Sequence, residues 1–175
     1  ATYKSMKNLN IALLTDFGWE DIYPGVMKGV ISSVNPGANV IDITHSILPQ
    51  NILQGAFLLF SSFRYFPKGT VFCAVVDPGV GSNRAALAVR TADYCFVGPD
   101  NGLMWQSASA NGIQEIIELS ESRFCLKTVS PTFHGRDVFA PAAAHISKGE
   151  DVTLMGNAAG TMVRLPLAKF DPAGS

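Results

Sequence analysis

The chain has 175 residues, of which 47% are hydrophobic and 15% charged, and its formal net charge is -1. This length suits one domain with a substantial buried core, and the lack of a lysine and arginine cluster argues against a nucleic-acid partner. A small-molecule partner fits better. No apolar run approaches the roughly 20 residues that span a bilayer, and no leader pattern opens the chain, so we expect a cytoplasmic protein without a membrane segment.

The first half of the chain alternates strand-like and helix-like segments. Short apolar runs predict strands, and apolar residues at helical spacing predict helices. We predict strands at 11–14, 39–44 and 71–76, and helices at 26–34 and 51–63. This βαβαβ alternation is typical of a parallel sheet with helices on its faces.

The second half is less regular. We predict strands at 85–90, 94–97 and 113–119, a short helix from residue 103, and a helix over 136–147 that tolerates Pro141 only near its first turn. Together the elements predict a three-layer α/β fold over residues 10–165, with a mostly parallel central sheet and helices on both faces. Residues 1–9 are expected to be a disordered tail or an expression remnant, and 166–175 to begin a linker.

Two of the predicted strands end in an aspartate. Asp16 follows the first strand, and Asp77 follows the third, where a loop rich in proline and glycine leads to Arg84. Because the carboxyl ends of parallel strands meet at one edge of a sheet, both carboxylates should face the same crevice, with Asp21 on its rim. An aspartate at such a position also serves as a helix cap or turn former, so both interpretations stand.

The three histidines lie in different contexts. His134 precedes a helix in a loop beside a glycine, and His45 follows a strand; each suits either a functional site or a structural role. His145 lies in an alanine-rich helical stretch, which favours a structural role. A metal site is not supported, because no HxH, HExxH or CxxC spacing occurs and arginines lie near His134 and Asp77. No serine-hydrolase elbow or dinucleotide-binding loop is present either.

Asp21 and seven ordered motifs resemble one known family. The motifs are Thr15-Asp16-Phe17-Gly18, Met27-Lys28-Gly29-Val30, Asp42-Ile43-Thr44-His45, Phe66-Pro67-Lys68-Gly69-Thr70-Val71, the segment 75–84, Gly98-Pro99-Asp100-Asn101-Gly102 and Phe133-His134-Gly135-Arg136-Asp137. The chain resembles the S-adenosyl-L-methionine (SAM) hydroxide adenosyltransferases, or SAM hydrolases, which are related to the fluorinase and chlorinase. The resemblance covers about residues 10–165. It implies cleavage of SAM by water to adenosine and L-methionine, without a metal or other cofactor.

The resemblance also implies roles for three residues in catalysis. Asp77, Arg84 and His134 match the water-activating trio of the family. Because the halogenating relatives replace the aspartate and the histidine, the trio favours hydroxide over halide. Which of Asp77 and His134 is the general base stays open.

Substrate-binding roles follow from the same resemblance. Asp16 would hold the ribose hydroxyls and Asp21 the amino group of the methionine part. The pocket around C5′ would be lined by Phe133 and Gly135, and Phe17 would also contact the substrate. In the place of a fluorinase tryptophan stands Gln50, which leaves that wall of the pocket undefined.

The family implies more than this chain contains. Its members continue into a β-rich domain that completes the adenine pocket of a neighbouring subunit in a homotrimer, and the Phe-Gly-Asn motif of that domain has no counterpart here. The chain is therefore either part of a longer protein or a one-domain member with an incomplete pocket. Two alternatives to SAM hydrolysis stay open: a non-catalytic adenosine- or SAM-binding module, and a SAM-dependent halogenase.

Overall fold

A computed structural model describes residues 10–80 and 82–165. The predicted tail and linker, at 1–9 and 166–175, lie outside the described residues. The strands are β1 (Asn10–Thr15), β2 (Asn39–Thr44), β3 (Val71–Val75), β4 (Ala86–Thr91), β5 (Cys95–Pro99), β6 (Ile113–Leu119) and β7 (Gly156–Ala158). The α-helices are α1 (Tyr23–Val34), α2 (Ile52–Ser62), α3 (Trp105–Ala110) and α4 (Ala140–Ser147). A π-helical segment, Gly135–Phe139, precedes α4 directly.

The strands form one mixed sheet in the order β2-β1-β3-β5-β4-β6-β7. β1 is parallel to β2 and β3, and β3 is parallel to β5, which confirms a parallel centre. The pairs β5–β4, β4–β6 and β6–β7 are antiparallel. The prediction of a mostly parallel sheet therefore holds at the centre but not at this end. The physical reason is the short turn of residues 92–94, because a connection of three residues can join only antiparallel strands.

Strand β7 escaped prediction because its sequence, Gly-Asn-Ala, has no apolar alternation. Its position depends on close backbone approach: a Cβ at Gly156 would lie 1.7 Å from the Glu118 carbonyl oxygen of β6. Only glycine fits so close to a neighbouring strand.

The helix predicted over 136–147 is divided in two. Pro141 lies in the first turn of α4, as expected, and the π-helical turns precede it. Proline cannot donate an amide hydrogen to the residue four positions earlier, which is Asp137. The carbonyl of Asp137 instead accepts from the amide of Leu126 at 2.9 Å. The Asp137 carbonyl, which Pro141 leaves without its helical donor, thus binds the loop that contains Leu126.

Alternate side chains of the central strands enter two separate buried clusters. Ile11 and Leu13 of β1 belong to a cluster that includes residues of α1 and α4. Ala12 and Leu14 belong to a second cluster that includes residues of α2 and α3. This alternation is what the pleat of a strand buried on both faces requires. Within the described ranges, every helix is too short or too polar to cross a membrane.

Candidate active site

The loop between β3 and β4 brings an aspartate and an arginine together. The Nε of Arg84 donates to both carboxylate oxygens of Asp77, at 3.1 and 3.0 Å, and its Nη2 also contacts Oδ2. The side chain of Arg84 is only 10% exposed, and that of Asp77 is only 6% exposed. Bidentate pairing of this kind fixes the plane of the guanidinium as well as its position.

His134 completes the cluster from the loop that precedes the π-helical segment. The Nη2 of Arg84 donates to the Nδ1 of His134 at 2.8 Å. Because a guanidinium has only donors, Nδ1 must be the unprotonated nitrogen, and the neutral ring carries its hydrogen on Nε2. Burial, and then the charge of Arg84, lower the pKa of His134 below its ordinary 6.5, although Asp77 and Asp137 act in the opposite direction. The geometry and the pKa both favour a neutral imidazole.

Local hydrogen bonds hold the loop in a tight turn. The amide of Gly79 donates to Oδ1 of Asp77 at 3.1 Å, and the amide of Ser82 donates to the carbonyl of Gly79 at 2.9 Å. A Cβ at Gly79 would lie 3.0 Å from the Ser82 hydroxyl and 3.2 Å from Cγ of Arg84. Both distances are shorter than most Cβ contacts, so a larger residue there would require the Ser82 or Arg84 side chain to shift by a few tenths of an ångström.

The 98–102 motif supports the same loop from β5. The side-chain amide of Asn101 donates to the carbonyl of Val76 at 2.8 Å, immediately before Asp77. A Cβ at Gly98 would lie 2.3 Å from the carbonyl oxygen of Ala74, so β3 and β5 approach too closely there for a side chain. This motif positions the end of β3.

A cavity opens beside the trio, at the carboxyl edge of β1 and β3. Six of the nine predicted site residues line it: Asp16, Phe17, Asp77, Phe133, His134 and Gly135. The structure thus brings these six residues together, and their roles stay predictions. The other three predicted residues, Arg84, Asp21 and Gln50, do not line the cavity. Arg84 nevertheless contacts Asp77 and His134, which do.

Aromatic rings form the apolar part of the cavity. The ring centroids of Phe17 and Tyr23 are 4.9 Å apart, and those of Tyr23 and Phe133 are 5.1 Å apart. A Cβ at Gly135 would lie 3.2 Å from the ring of Phe17, so this glycine makes room for that ring. Tyr23 was not predicted as a site residue, because its two partners are remote from one another in sequence.

Asp16 and Asp21 differ in their surroundings. Oδ2 of Asp16 accepts the amide of Gln50 at 2.7 Å, and Gln50 has a φ of 64°. This left-handed conformation places the Gln50 backbone, rather than its side chain, against Asp16. Asp21 lines a more open cleft with Trp19 and accepts the amide of Tyr23 at 3.2 Å, at the start of α1. A turn-forming role is therefore visible for Asp21.

His45 lies in a second, closed cluster. Its Nδ1 is 2.7 Å from the hydroxyl of Thr15, and its Nε2 is 2.6 Å from Oδ1 of Asp42, whose other oxygen accepts from Lys28 at 2.6 Å. Burial alone would raise the pKa of Asp42, but the hydrogen bonds from Lys28 and His45 lower it overall. The carbonyl of His45 accepts the amide of Gly18 at 2.7 Å. This is the arrangement of a loop anchor.

Asp137 is a buried carboxylate that was not predicted as a site residue. It accepts from Nε of Arg136 at 2.6 Å and from the amide of Ser130 at 2.7 Å, and its own amide donates to the carbonyl of Phe133 at 2.9 Å. Burial raises the pKa of Asp137, but the hydrogen bonds from Arg136 and Ser130 outweigh it and lower the pKa. Asp137 thus fixes the loop that carries Phe133 and His134.

Residues 11–156 match the family model described as the SAM hydroxide adenosyltransferase N-terminal domain. The chain belongs to this family, which confirms the predicted resemblance. It is 40% identical over 165 residues to the "(R)-S-adenosyl-L-methionine hydrolase" of Salinispora tropica, covering 93% of the chain and 63% of that relative. The protein of the same name from Methanocaldococcus jannaschii is 45% identical over 141 residues, covering 78% of the chain and 52% of that relative.

Other relatives mark the limits of the match. A crystal structure described as an uncharacterized conserved protein from Thermotoga maritima superposes with a TM-score of 0.86 at 41% identity, covering 89% of the chain and 60% of that protein. A more distant relative, a fluorinase from Actinoplanes sp., is 27% identical over 171 residues, which cover 85% of the chain and 57% of that relative. The chain thus spans between about half and two thirds of the length of the relatives it matches.

Proposed function

We propose that the protein cleaves S-adenosyl-L-methionine with water, releasing adenosine and L-methionine. The observation that carries the proposal is the Asp77–Arg84–His134 cluster at the wall of an aromatic cavity. Support also comes from the relatives at 40–45% identity, which are named (R)-S-adenosyl-L-methionine hydrolase, whereas the fluorinases are at 27%.

The main task of the protein in this reaction is to position the attacking water. The sulfonium is a good leaving group, so a water held in line behind C5′ at about 3 Å suffices if other water is kept away. The oxygen–C5′ bond forms as the C5′–sulfur bond breaks, its electron pair goes to sulfur, and one proton is released. The positive charge on sulfur disappears, so the apolar walls around Phe17 and Phe133 favour the transition state.

The hydrogen bonds favour Asp77 as the group that receives this proton. Nδ1 of His134 already accepts from Arg84, and the neutral ring carries a hydrogen on Nε2, so His134 is a donor toward the cavity. Asp77 has only acceptors, and Arg84 holds it in place. We therefore propose that His134 orients the water. Asp77 accepts the proton of this water as the bond to C5′ forms.

The remaining site residues would hold the substrate. We propose that Asp16 binds the ribose hydroxyls, that Asp21 binds the amino group of the methionine part, and that Phe17, Phe133 and Gly135 surround C5′. Gln50 contributes to this wall through the backbone contact that it makes with Asp16.

The same proposal includes the wider properties expected from the sequence. We propose that the reaction needs no metal or other cofactor, that the full-length form is a cytoplasmic homotrimer, and that its partner is the substrate rather than nucleic acid or a membrane. The two buried clusters, one with α1 and α4 and one with α2 and α3, support three layers with helices on both faces.

The test is to incubate the natural gene product that contains this chain with each sulfonium epimer of SAM in ¹⁸O-water. We expect ¹⁸O at the 5′-hydroxyl of adenosine and an equal amount of free methionine, with faster turnover of the (R) epimer. Formation of 5′-halo-adenosine in halide buffer would instead support the halogenase alternative. Tight adenosine binding without any turnover would overturn hydrolysis and leave a binding module.

A further inference from the structure

Tyr23 carries a polar group that the proposed mechanism does not use. Its ring lies between Phe17 and Phe133, and it lines the cavity beside the trio. Its hydroxyl is buried, and no hydrogen-bond partner for it exists among residues 10–80 and 82–165. Because buried polar groups in proteins are nearly always paired, a hydroxyl of this kind beside a cavity is suited to a ligand atom.

The hydroxyl is a donor under ordinary conditions. Burial raises the pKa of Tyr23; the charge of Arg136 acts against this, and the carboxylates of Asp137 and Asp21 add to it. The phenol therefore stays protonated at neutral pH and can donate a hydrogen bond to an acceptor of the ligand. The carboxylate of Asp137 is paired directly with Arg136, which neutralises its charge. The guanidinium of Arg136 also stacks over the ring of Phe133, at 4.8 Å from the ring centroid.

The position of Tyr23 indicates which acceptor of the substrate it meets. The amide of Tyr23 donates to Asp21, the residue proposed to bind the amino group of the methionine part. The amino and carboxylate groups of an amino acid are attached to the same carbon. If Asp21 binds the amino group, the carboxylate must therefore lie close to Asp21. Tyr23 also begins the 12-residue helix α1, whose N-terminal end favours negative charge.

We infer that the hydroxyl of Tyr23 donates a hydrogen bond to the α-carboxylate of the methionine part of the substrate. The inference rests on the proposed function, because it takes SAM as the ligand. It makes Tyr23 a specificity residue for the amino-acid part, whereas Asp16 serves the nucleoside part.

The test compares Tyr23→Phe with the unaltered protein on SAM and on decarboxylated SAM. Phenylalanine keeps the ring between its two neighbours and removes only the hydroxyl. We expect the KM for SAM to rise roughly 10- to 100-fold with little change in kcat, and the KM for decarboxylated SAM to change less than about twofold. Tyr65→Phe is the matched control, because Tyr65 is 88% exposed and no effect on either substrate is expected.

Binding measurements separate the possible failures. Calorimetry should show unchanged adenosine affinity and weaker SAM affinity in Tyr23→Phe. An equal loss on both substrates or an unchanged KM would overturn the inference. A loss of adenosine affinity would also overturn it and would place the hydroxyl on the nucleoside. If the unaltered protein binds SAM without cleaving it, hydrolysis fails but the affinities still decide the role of Tyr23. If it binds no SAM, both fail.

Discussion

Two clusters in this fold contain the same kinds of side chain. Each has an aspartate, a cation and a histidine. In the open cluster, Arg84 lies between Asp77 and His134. In the closed cluster, Asp42 lies between Lys28 and His45. In the closed cluster, both ring nitrogens of His45 contact protein atoms, and its side chain is fully buried. In the open cluster, Nε2 of His134 has no partner among the described residues, and the ring lines a cavity. Unfilled hydrogen bonding beside open space, rather than residue type, distinguishes a site from an anchor.

The largest expected effect is that of Asp77→Asn in the open cluster. The amide removes the proton acceptor and leaves the nearly buried Arg84 without its counter-charge. We expect kcat to fall roughly 10²- to 10⁴-fold and stability to fall as well, because a buried charge loses its partner. Single-turnover cleavage of SAM at saturating substrate measures the first effect, and urea unfolding the second.

Adenosine affinity is the control for an intact cavity in this variant. If Asp77→Asn binds adenosine normally and still cleaves SAM at a rate near that of the unaltered protein, Asp77 is not the proton acceptor. That result would also remove the proposed difference between the two clusters.

The next effect is that of the same change in the closed cluster, Asp42→Asn. The amide can still meet one partner but loses the charge that Lys28 and His45 share. Because Lys28 is 37% exposed, its contribution is weakened by solvent, and we expect a loss of roughly 1–2 kcal/mol in the free energy of unfolding. Urea titration followed by circular dichroism measures it.

Catalysis should barely change in Asp42→Asn, because the cluster acts only through the loop that carries Asp16 and Phe17. A fall of kcat as large as that of Asp77→Asn, in protein that is still folded, would contradict the assignment of this cluster as an anchor.

The sequence predicted the open cluster better than the closed one for a physical reason. The sequence pattern marks Asp77 at the end of a buried strand, Arg84 at the close of its loop and His134 beside a glycine, and the family resemblance groups these three residues. The pairing of Lys28 with Asp42 depends instead on α1 packing beside β2, and no local pattern encodes it. The same limit applies to Tyr23, whose position depends on packing between Phe17 and Phe133, two residues that are far apart in sequence.

The secondary structure shows a similar division. Strands β2 and β6 have the predicted bounds, since apolar and β-branched residues mark them clearly. The segment predicted as a helix over 136–147 is helical throughout, but its π-helical first part was not predicted, because the effect of Pro141 depends on a loop amide that takes the released carbonyl of Asp137. Tertiary contacts therefore decide the parts of the fold that shape the cavity.

The smallest expected effect is the pH dependence of the open cluster. Burial and the charge of Arg84 lower the pKa of His134, so the folded protein takes up its proton only below pH 6.5. Protonation of Nδ1 would remove the acceptor for Arg84 and place two cations together. Because the folded pKa lies below the unfolded one, the stability associated with neutral His134 is present above pH 6.5. It is lost as the pH falls through the folded value.

We therefore expect kcat/KM to stay level from pH 8 to about 6.5 and then to fall, approaching about tenfold per pH unit below the folded pKa. His134→Asn is the matched control, since its amide oxygen can still accept from Arg84 but does not titrate. Its residual activity should lack this fall. A kcat/KM that instead rises as the pH falls through 6.5 would mean that the protonated imidazole is the active form, with Nδ1 no longer bonded to Arg84. The open cluster would then work by a different arrangement from the one that its hydrogen bonds define.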